Sequence, residues 1–183
     1  MPYLSKYSYK IAVKPAKAEL YYWTCILGGA VLSIRQRPKV LSMAIKNYEL
    51  LFQTTAGTDV VDLTPKVQEL LKQSGIKDGS ATVFVPGSTA AVTTIEYESG
   101  ALNDLVQAIE RLAPESIDYA HDRRWGDGNG YAHVRAALLK PSLNVPVMEG
   151  CLMLGTWQQI VLLDFDNRPR RRKVLVQVLG NGV

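Results

Sequence analysis

The stretch SATVFVPGSTAAVTTIEY, residues 80–97, decides the class of fold. Ser80–Val85 and the threonine-rich Thr89–Tyr97 are full of β-branched side chains that suit a pleated surface, and Pro86-Gly87 parts them as a turn. Two strands with no helix between them are expected to pair as antiparallel neighbours. Outward from this stretch the same grammar repeats. Ala44–Gln53 alternates loosely and Asp59–Leu63 follows the Ala56-Gly57 turn; Ser142–Val147, Gln158–Phe165 and Lys173–Leu179 come later, broken by Gly150, Gly155 and Asp166-Asn167. Helical signals are fewer. Thr64 is placed as an N-cap, Pro65 opens the helix, Val67, Leu70 and Leu71 share a face and Gly75 ends it. Ala101–Ala113 carries an apolar stripe of Leu102, Leu105, Val106, Ile109 and Leu112 before Pro114. Tyr119–Tyr131 reads as a loop, and Ala132–Leu139 is apolar in either a helical or a strand pattern. Strands in runs, with two to three helices, predict an α+β fold with a mainly antiparallel, sandwich-like core rather than a doubly wound parallel sheet.

The chain has 183 residues, 47% of them apolar and 21% charged, which is a composition for one core and not for disorder, collagen or a coiled coil. Cys25 and Cys151 are too few for a disulfide scaffold or a four-cysteine zinc site, so a reducing, cytoplasmic setting fits. The formal charge of +4 is unevenly spread. Residues 1–42 hold seven basic residues against one acidic, whereas residues 43–183 hold 14 basic against 16 acidic. The larger part has no bias toward polyanions.

Residues 1–42 also differ in texture. Leu20–Ile34 is uncharged but short for a membrane span, which needs about 20 apolar residues, and Gly28, Gly29, Thr24 and Ser33 weaken it further. A signal peptide would want small residues before its cut, which Val31–Ser33 supply poorly. The segment reads as an extension outside the working domain of 43–183, as a targeting segment, or as an additional ordered element. A chain begun at Met43 is expected to be as stable and as oligomeric as the whole.

Chemistry-bearing residues gather in four places. The only two histidines, His121 and His133, flank a loop dense in Asp, Arg, Gly and Asn, and a loop that brings two imidazoles together offers two ligands to a zinc-like ion. The turn Pro86-Gly87-Ser88-Thr89, with Glu96 seven residues beyond Thr89, offers hydroxyls and backbone amides to an anion and a carboxylate as base or ligand. Gly155-Thr156-Trp157-Gln158 joins close backbone approach to a ring that can stack on a flat heterocycle. Arg168, Arg170, Arg171, Arg172 and Lys173 form a basic run, read either as a solvated turn before the last strand or as a phosphate partner, since a guanidinium donates in a fork. Nucleic acid is a poor partner. No aromatic side chains interleave the basic ones, and there is no P-loop.

These pieces have a family order. The turn and strand 86–97, Tyr119-Ala120-His121-Asp122, Asn129-Gly130-Tyr131-Ala132-His133, Pro141-Ser142-Leu143, Gly150, Leu154-Gly155-Thr156-Trp157-Gln158-Gln159, the arginine run and Val176–Gly180 together resemble the YjbQ family, also called the secondary thiamine-phosphate synthase family. The resemblance covers about residues 44–180. It implies a compact α+β domain assembled as a homotrimer, a metal site lined by histidines, and a thiamine-phosphate synthase activity that couples hydroxymethylpyrimidine diphosphate to thiazole phosphate with loss of pyrophosphate. On this resemblance His121 and His133 are metal ligands for a divalent ion, zinc or magnesium. Glu96, Arg124 and Arg135 are the expected catalytic residues, and Ser88, Thr89, Asn129, Ser142, Trp157 and Gln158 are expected to bind the phosphorylated small-molecule substrate. The third histidine of many relatives does not match, because this chain has Gly87 there, leaving a site completed by Glu96, Asp122 or water. A site between subunits is expected to join the two imidazoles to Ser88, Thr89 or Glu96 of the same or the next chain. The alternative is a small-ligand or metal-binding trimer without turnover. Neither reading needs a membrane or nucleic acid.

Overall fold

A computed structural model of the chain describes residues 42–181 throughout, together with the backbone of two short strands, β1 (Trp23–Leu27) and β2 (Ala30–Ile34). The chain divides into two units, Met1–Val40 and Leu41–Val183. In the first, β1 and β2 pair antiparallel, with Trp23 opposite Ile34 and Leu27 opposite Ala30. The targeting and extension readings of residues 1–42 rest mostly on positions outside the described residues. No helix among the described residues is long and apolar enough to cross a membrane.

The second unit is built around β9 (Gln159–Asp164), whose sequence QIVLLD is buried almost end to end. An unbroken apolar run of this length suits a strand covered on both faces. It pairs antiparallel with β4 (Asp59–Asp62) on one side and β6 (Ala90–Ile95) on the other, giving a three-stranded sheet. A second, five-stranded sheet has the order β3 (Met43–Gln53), β10 (Arg171–Asn181), β5 (Asp78–Phe84), β7 (Ser142–Met148) and β8 (Cys151–Leu152), again all antiparallel. Alternation along β10 turns Arg172, Val174, Val176 and Val178 inward and Arg171, Lys173 and Gln177 outward.

One core lies between the sheets. Val83, Val145, Val174 and Val176 of the larger sheet meet Val92, Ile160 and Leu162 of the smaller, together with Val67 and Leu71 of α1 (Thr64–Ser74). The other face of the small sheet, Ala91, Val161, Leu163 and Phe165, packs on Ile109 of α2 (Ser99–Leu112) and on Tyr131, Ala132 and Ala136 of α4 (Gly130–Leu139). Each buried aliphatic in these cores is worth about 2–5 kcal/mol against alanine.

Four expectations are corrected. Residues 80–97 do not form a hairpin: β5 belongs to the five-stranded sheet and β6 to the three-stranded one, so Val85–Thr89 carries the chain from one sheet to the other. β7 takes the place beside β5, and β9 the place beside β6. Four helices, not two to three, occur among the described residues, because the presumed loop holds α3 (Ala120–Trp125). Six residues with no buried side chain leave no apolar period to detect. The arginine run is not a turn throughout, since Arg171 and Arg172 are already in β10. Thr64 is also inside its helix rather than capping it; Asp62 accepts from the Thr64 N–H and the Thr64 hydroxyl accepts from Ile160 N–H.

Candidate functional site

α3 and α4 are joined by a tight return. Gly126 ends α3 with φ +66° and gives its N–H to the Asp122 carbonyl, and Gly128 at φ +61° turns the chain back. The two helices start against each other: a Cβ added to Gly130 would lie 2.5 Å from Cβ of Tyr119, so only glycine fits. The Asp122 carboxylate accepts the Gly130 N–H at 2.8 Å and ties the first turn of α3 to the start of α4.

This return sets His121, in the first turn of α3, beside His133, in the first turn of α4. Their ring centroids are 4.3 Å apart and the planes are tilted by 38°. Asp127 Oδ2 stands 3.4 Å from His121 Nε2, and both side chains are about one-third exposed, so the pair is open to solvent. Burial pushes the Asp127 carboxyl up, but the contact with His121 and the N–H of Asn129 outweigh it and hold it below the usual carboxylate range. The ligand atoms of His121, Asp122 and Asp127 all lie within 4.8 Å of one another. His133 lies beside this group by its ring but its nitrogens are not among those mutually close atoms, so one imidazole with two carboxylates is the donor set as it stands, and it suits zinc or a similar borderline ion.

Beneath this loop lies a buried ionic cluster. Arg172, 8% exposed, donates from Nε to Asp164 Oδ2 at 2.6 Å and from Nη2 to Asp164 Oδ1 at 2.5 Å, a bidentate pair with a fully buried carboxylate. Nη2 also reaches Thr89 Oγ1 at 2.7 Å, while the Thr89 hydroxyl donates to Asp166 Oδ2 at 2.8 Å. Asp166 is further paired with Arg170 at 2.8 Å. Burial pushes the Asp166 carboxyl up, yet Arg170, Thr89 and Arg172 together hold it below its ordinary range. The next residue fastens the cluster to the histidine loop. Asn167 N–H donates to Asn129 Oδ1 at 3.2 Å and Asn167 Nδ2 to the Asp127 carbonyl at 2.7 Å.

The remaining expected site residues fall into distinct places. Asn129 is buried as the clamp just described, and Thr89 is committed to the ionic cluster; Ser88 is exposed on the turn before it. Arg124 is exposed and lies over the Trp125 ring, 5.5 Å from its centroid. Arg135 is 3% exposed and points away from His133, since residues two apart do not share a helix face. It donates to the Ala113 carbonyl, pairs with Glu110 and covers the Tyr131 ring at 4.6 Å, bolting α4 to the end of α2.

Glu96, Trp157 and Gln158 lie elsewhere. Ala90 of β6 faces Asp164, whereas Ile95 faces Gln159, so Glu96 follows the opposite end of β6 from Thr89. Five strand steps separate the two ends by about 17 Å. There Gln158 Nε2 donates to Thr94 Oγ1, and Gln158 lines a cavity of about 260 Å³ with Ser142, Thr94 and Asn144, while Trp157 is 69% exposed. Within one chain the histidine pair and Glu96 are therefore in different places. Sequence reasoning missed Asp127, Asp164 and the inward face of Arg172; the last was readable from the R-x-V-x-V-x-V alternation of residues 172–178.

A curled pair of antiparallel sheets with helices packed against them defines an α+β protein, and this arrangement is shared with solved structures. A YbjQ-like protein of Sulfolobus solfataricus superposes with a TM-score of 0.68 at 33% identity, covering 75% of this chain and all of that one. A YjbQ/UPF0047 family protein of Clostridium acetobutylicum gives 0.66 at 33% identity, covering 72% of this chain and 98% of the other. Residues 48–181 match the family model described as UPF0047 protein YjbQ-like. A UPF0047 protein of Archaeoglobus fulgidus is 40% identical over 131 residues, 72% of this chain and 99% of its relative. The chain belongs to the YjbQ/UPF0047 family.

Proposed function

We propose that the chain is a metal-assisted transferase of the thiamine-phosphate synthase type, a cytoplasmic homotrimer that joins hydroxymethylpyrimidine diphosphate to thiazole phosphate and releases pyrophosphate. The observation that carries this reading is the pair of imidazoles 4.3 Å apart with Asp127 beside His121. His121 and Asp127, with Asp122 in the same group, would hold one divalent ion, zinc or magnesium, which His133 would join by turning its ring toward them; when bound, the ion supplies positive charge next to a departing diphosphate. Arg124, free in solvent on α3, adds a guanidinium that can follow the same charge. Asp122 and Asn129 act on position, holding α3, α4 and residues 164–167 in register. Trp125 and Trp157, both largely exposed, are the rings available to face the pyrimidine.

The trimer is supported by the outer face of the five-stranded sheet, which no described element of the second unit covers, and where Ile45, Leu51, Phe84 and Met148 are all at least one-third exposed. In such an assembly the Glu96 end of one chain can approach the histidine loop of the next. A second reading, a ligand-binding or metal-binding trimer without turnover, is favoured by the distance of Glu96 from the imidazoles and by the structural engagement of Arg135. Complementation of a thiamine-requiring strain lacking its main synthase decides between them. Growth with the native chain and not with His133→Ala is expected. Growth with both would remove the site, and growth with neither would remove the enzyme.

A further inference from the structure

The ionic cluster leaves one donor unused. Asp164 occupies Nε and Nη2 of Arg172, and Thr89 and Asp166 also take Nη2, but among the described residues Nη1 has no hydrogen-bond partner. A guanidinium stays charged at any physiological pH, and Nη1, unlike the sealed Tyr131 hydroxyl, keeps some contact with solvent. Nη1 faces the backbone of Gly87, where an added Cβ would come within 3.3 Å of it.

Gly87 is what keeps that approach open. Its φ of +133° is backbone that L side chains avoid, and both it and Ser88 are exposed, so Nη1 lies beside an exposed turn whose one open side forms a notch. The N–H groups of Gly87 and Ser88 likewise donate to nothing among the described residues. The local charge count favours an anion: Arg168, Arg170 and Arg172 face two carboxylates, Asp164 and Asp166, leaving one positive charge in excess. The same segment, through Asn167 and Asn129, borders the histidine loop.

We infer that the notch formed by Gly87, Ser88 and Arg172 Nη1 is a subsite for a phosphoryl group of a small-molecule ligand. Thr89, expected from the sequence to contact substrate, instead holds the arginine in place, and Arg172 is the residue that touches the anion. The inference rests on the proposed phosphorylated substrate for its biological meaning, but its test does not involve the metal.

The test is a titration of inorganic phosphate into the full chain with labelled arginine side chains, in the presence of a chelator and against chloride at matched ionic strength. The Nε and Nη signals of Arg172 are read by NMR. They are expected to shift saturably. Because Arg172 variants endanger the core, the perturbation is placed on the exposed turn: Ser88→Glu sets a carboxylate beside Nη1 and is expected to weaken phosphate tenfold or more, while Ser88→Gln keeps binding within threefold. Arg172 signals that stay still while phosphate binds elsewhere, or Ser88→Glu binding like the native chain, would overturn the subsite. Loss of metal binding by the histidines would leave this result unaffected.

Discussion

The two ends of the three-stranded sheet are built from similar strands and put to opposite uses. At one end Asp164 and Asp166 follow the buried run of β9 into the interior, where Arg172, Arg170 and Thr89 neutralise them and Asn167 fastens the histidine loop. At the other end Gln158 and Glu96 are exposed, and Gln158 and Thr94 share one hydrogen bond in water. The difference shows where this fold concentrates its cost. A buried ion pair is expensive to assemble and more expensive to break, so the closed end is rigid, whereas the open end tolerates change.

The comparison is tested most severely by Asp164→Ala, which strands the Arg172 charge in the core. A loss of about 3–5 kcal/mol is expected in urea unfolding. A loss near zero would mean that the cluster is solvated and that the contrast between the ends is false.

Next in size is Gly130→Ala, where the new methyl has no room beside Tyr119. Overpacking of this kind costs about 1–3 kcal/mol, and relief by parting α3 from α4 is expected to weaken metal binding along with stability. Stability lost with metal affinity intact would separate the helix contact from the imidazole pair.

Tyr131→Phe changes stability in the opposite direction. The Tyr131 hydroxyl is buried with no hydrogen bond of good geometry, only a loose approach to Glu115, and burial, with that carboxylate and the charge of Asp166, pushes its pKa up to about 12. Removing the hydroxyl is expected to stabilise the chain by about 1 kcal/mol at neutral pH. The folded state holds the proton more tightly than the unfolded one, so the native chain loses stability as pH rises from about 10 toward 12. Unfolding midpoints followed from pH 8 to 12 are expected to flatten in the variant.

The smallest effect belongs to the open end. Gln158→Ala is expected to cost only about 0.5–1 kcal/mol, because the lost bond to Thr94 is replaced by water. A cost as large as that of Asp164→Ala would erase the distinction.

What the sequence disclosed follows the same line. β9 and the helix α1 were legible, since an unbroken apolar run and a Pro-to-Gly span are local signals. The separation of β5 from β6 was not, because both are short, with valine and threonine in each, and their choice of partner rests on residues 60 to 70 positions away, Leu143 opposite Val83 and Leu162 opposite Val92. His121 and His133 were visible as a pair on either side of a glycine-rich loop. Their carboxylate neighbour Asp127 was not, because its place depends on the left-handed backbone of Gly126 and Gly128, and Arg135 looked like a free cation until α2 was packed against it.

The central claim is that His121 and His133 hold one cation with help from Asp127. Cobalt titration of the full chain, read from the d–d absorption and by displacement with zinc, tests it directly. One ion per chain is expected, with binding abolished by His121→Ala or His133→Ala, weakened by Asp127→Asn and unchanged by Glu96→Gln. Equal binding by the native chain and both histidine variants, or no binding by the native chain, would contradict it.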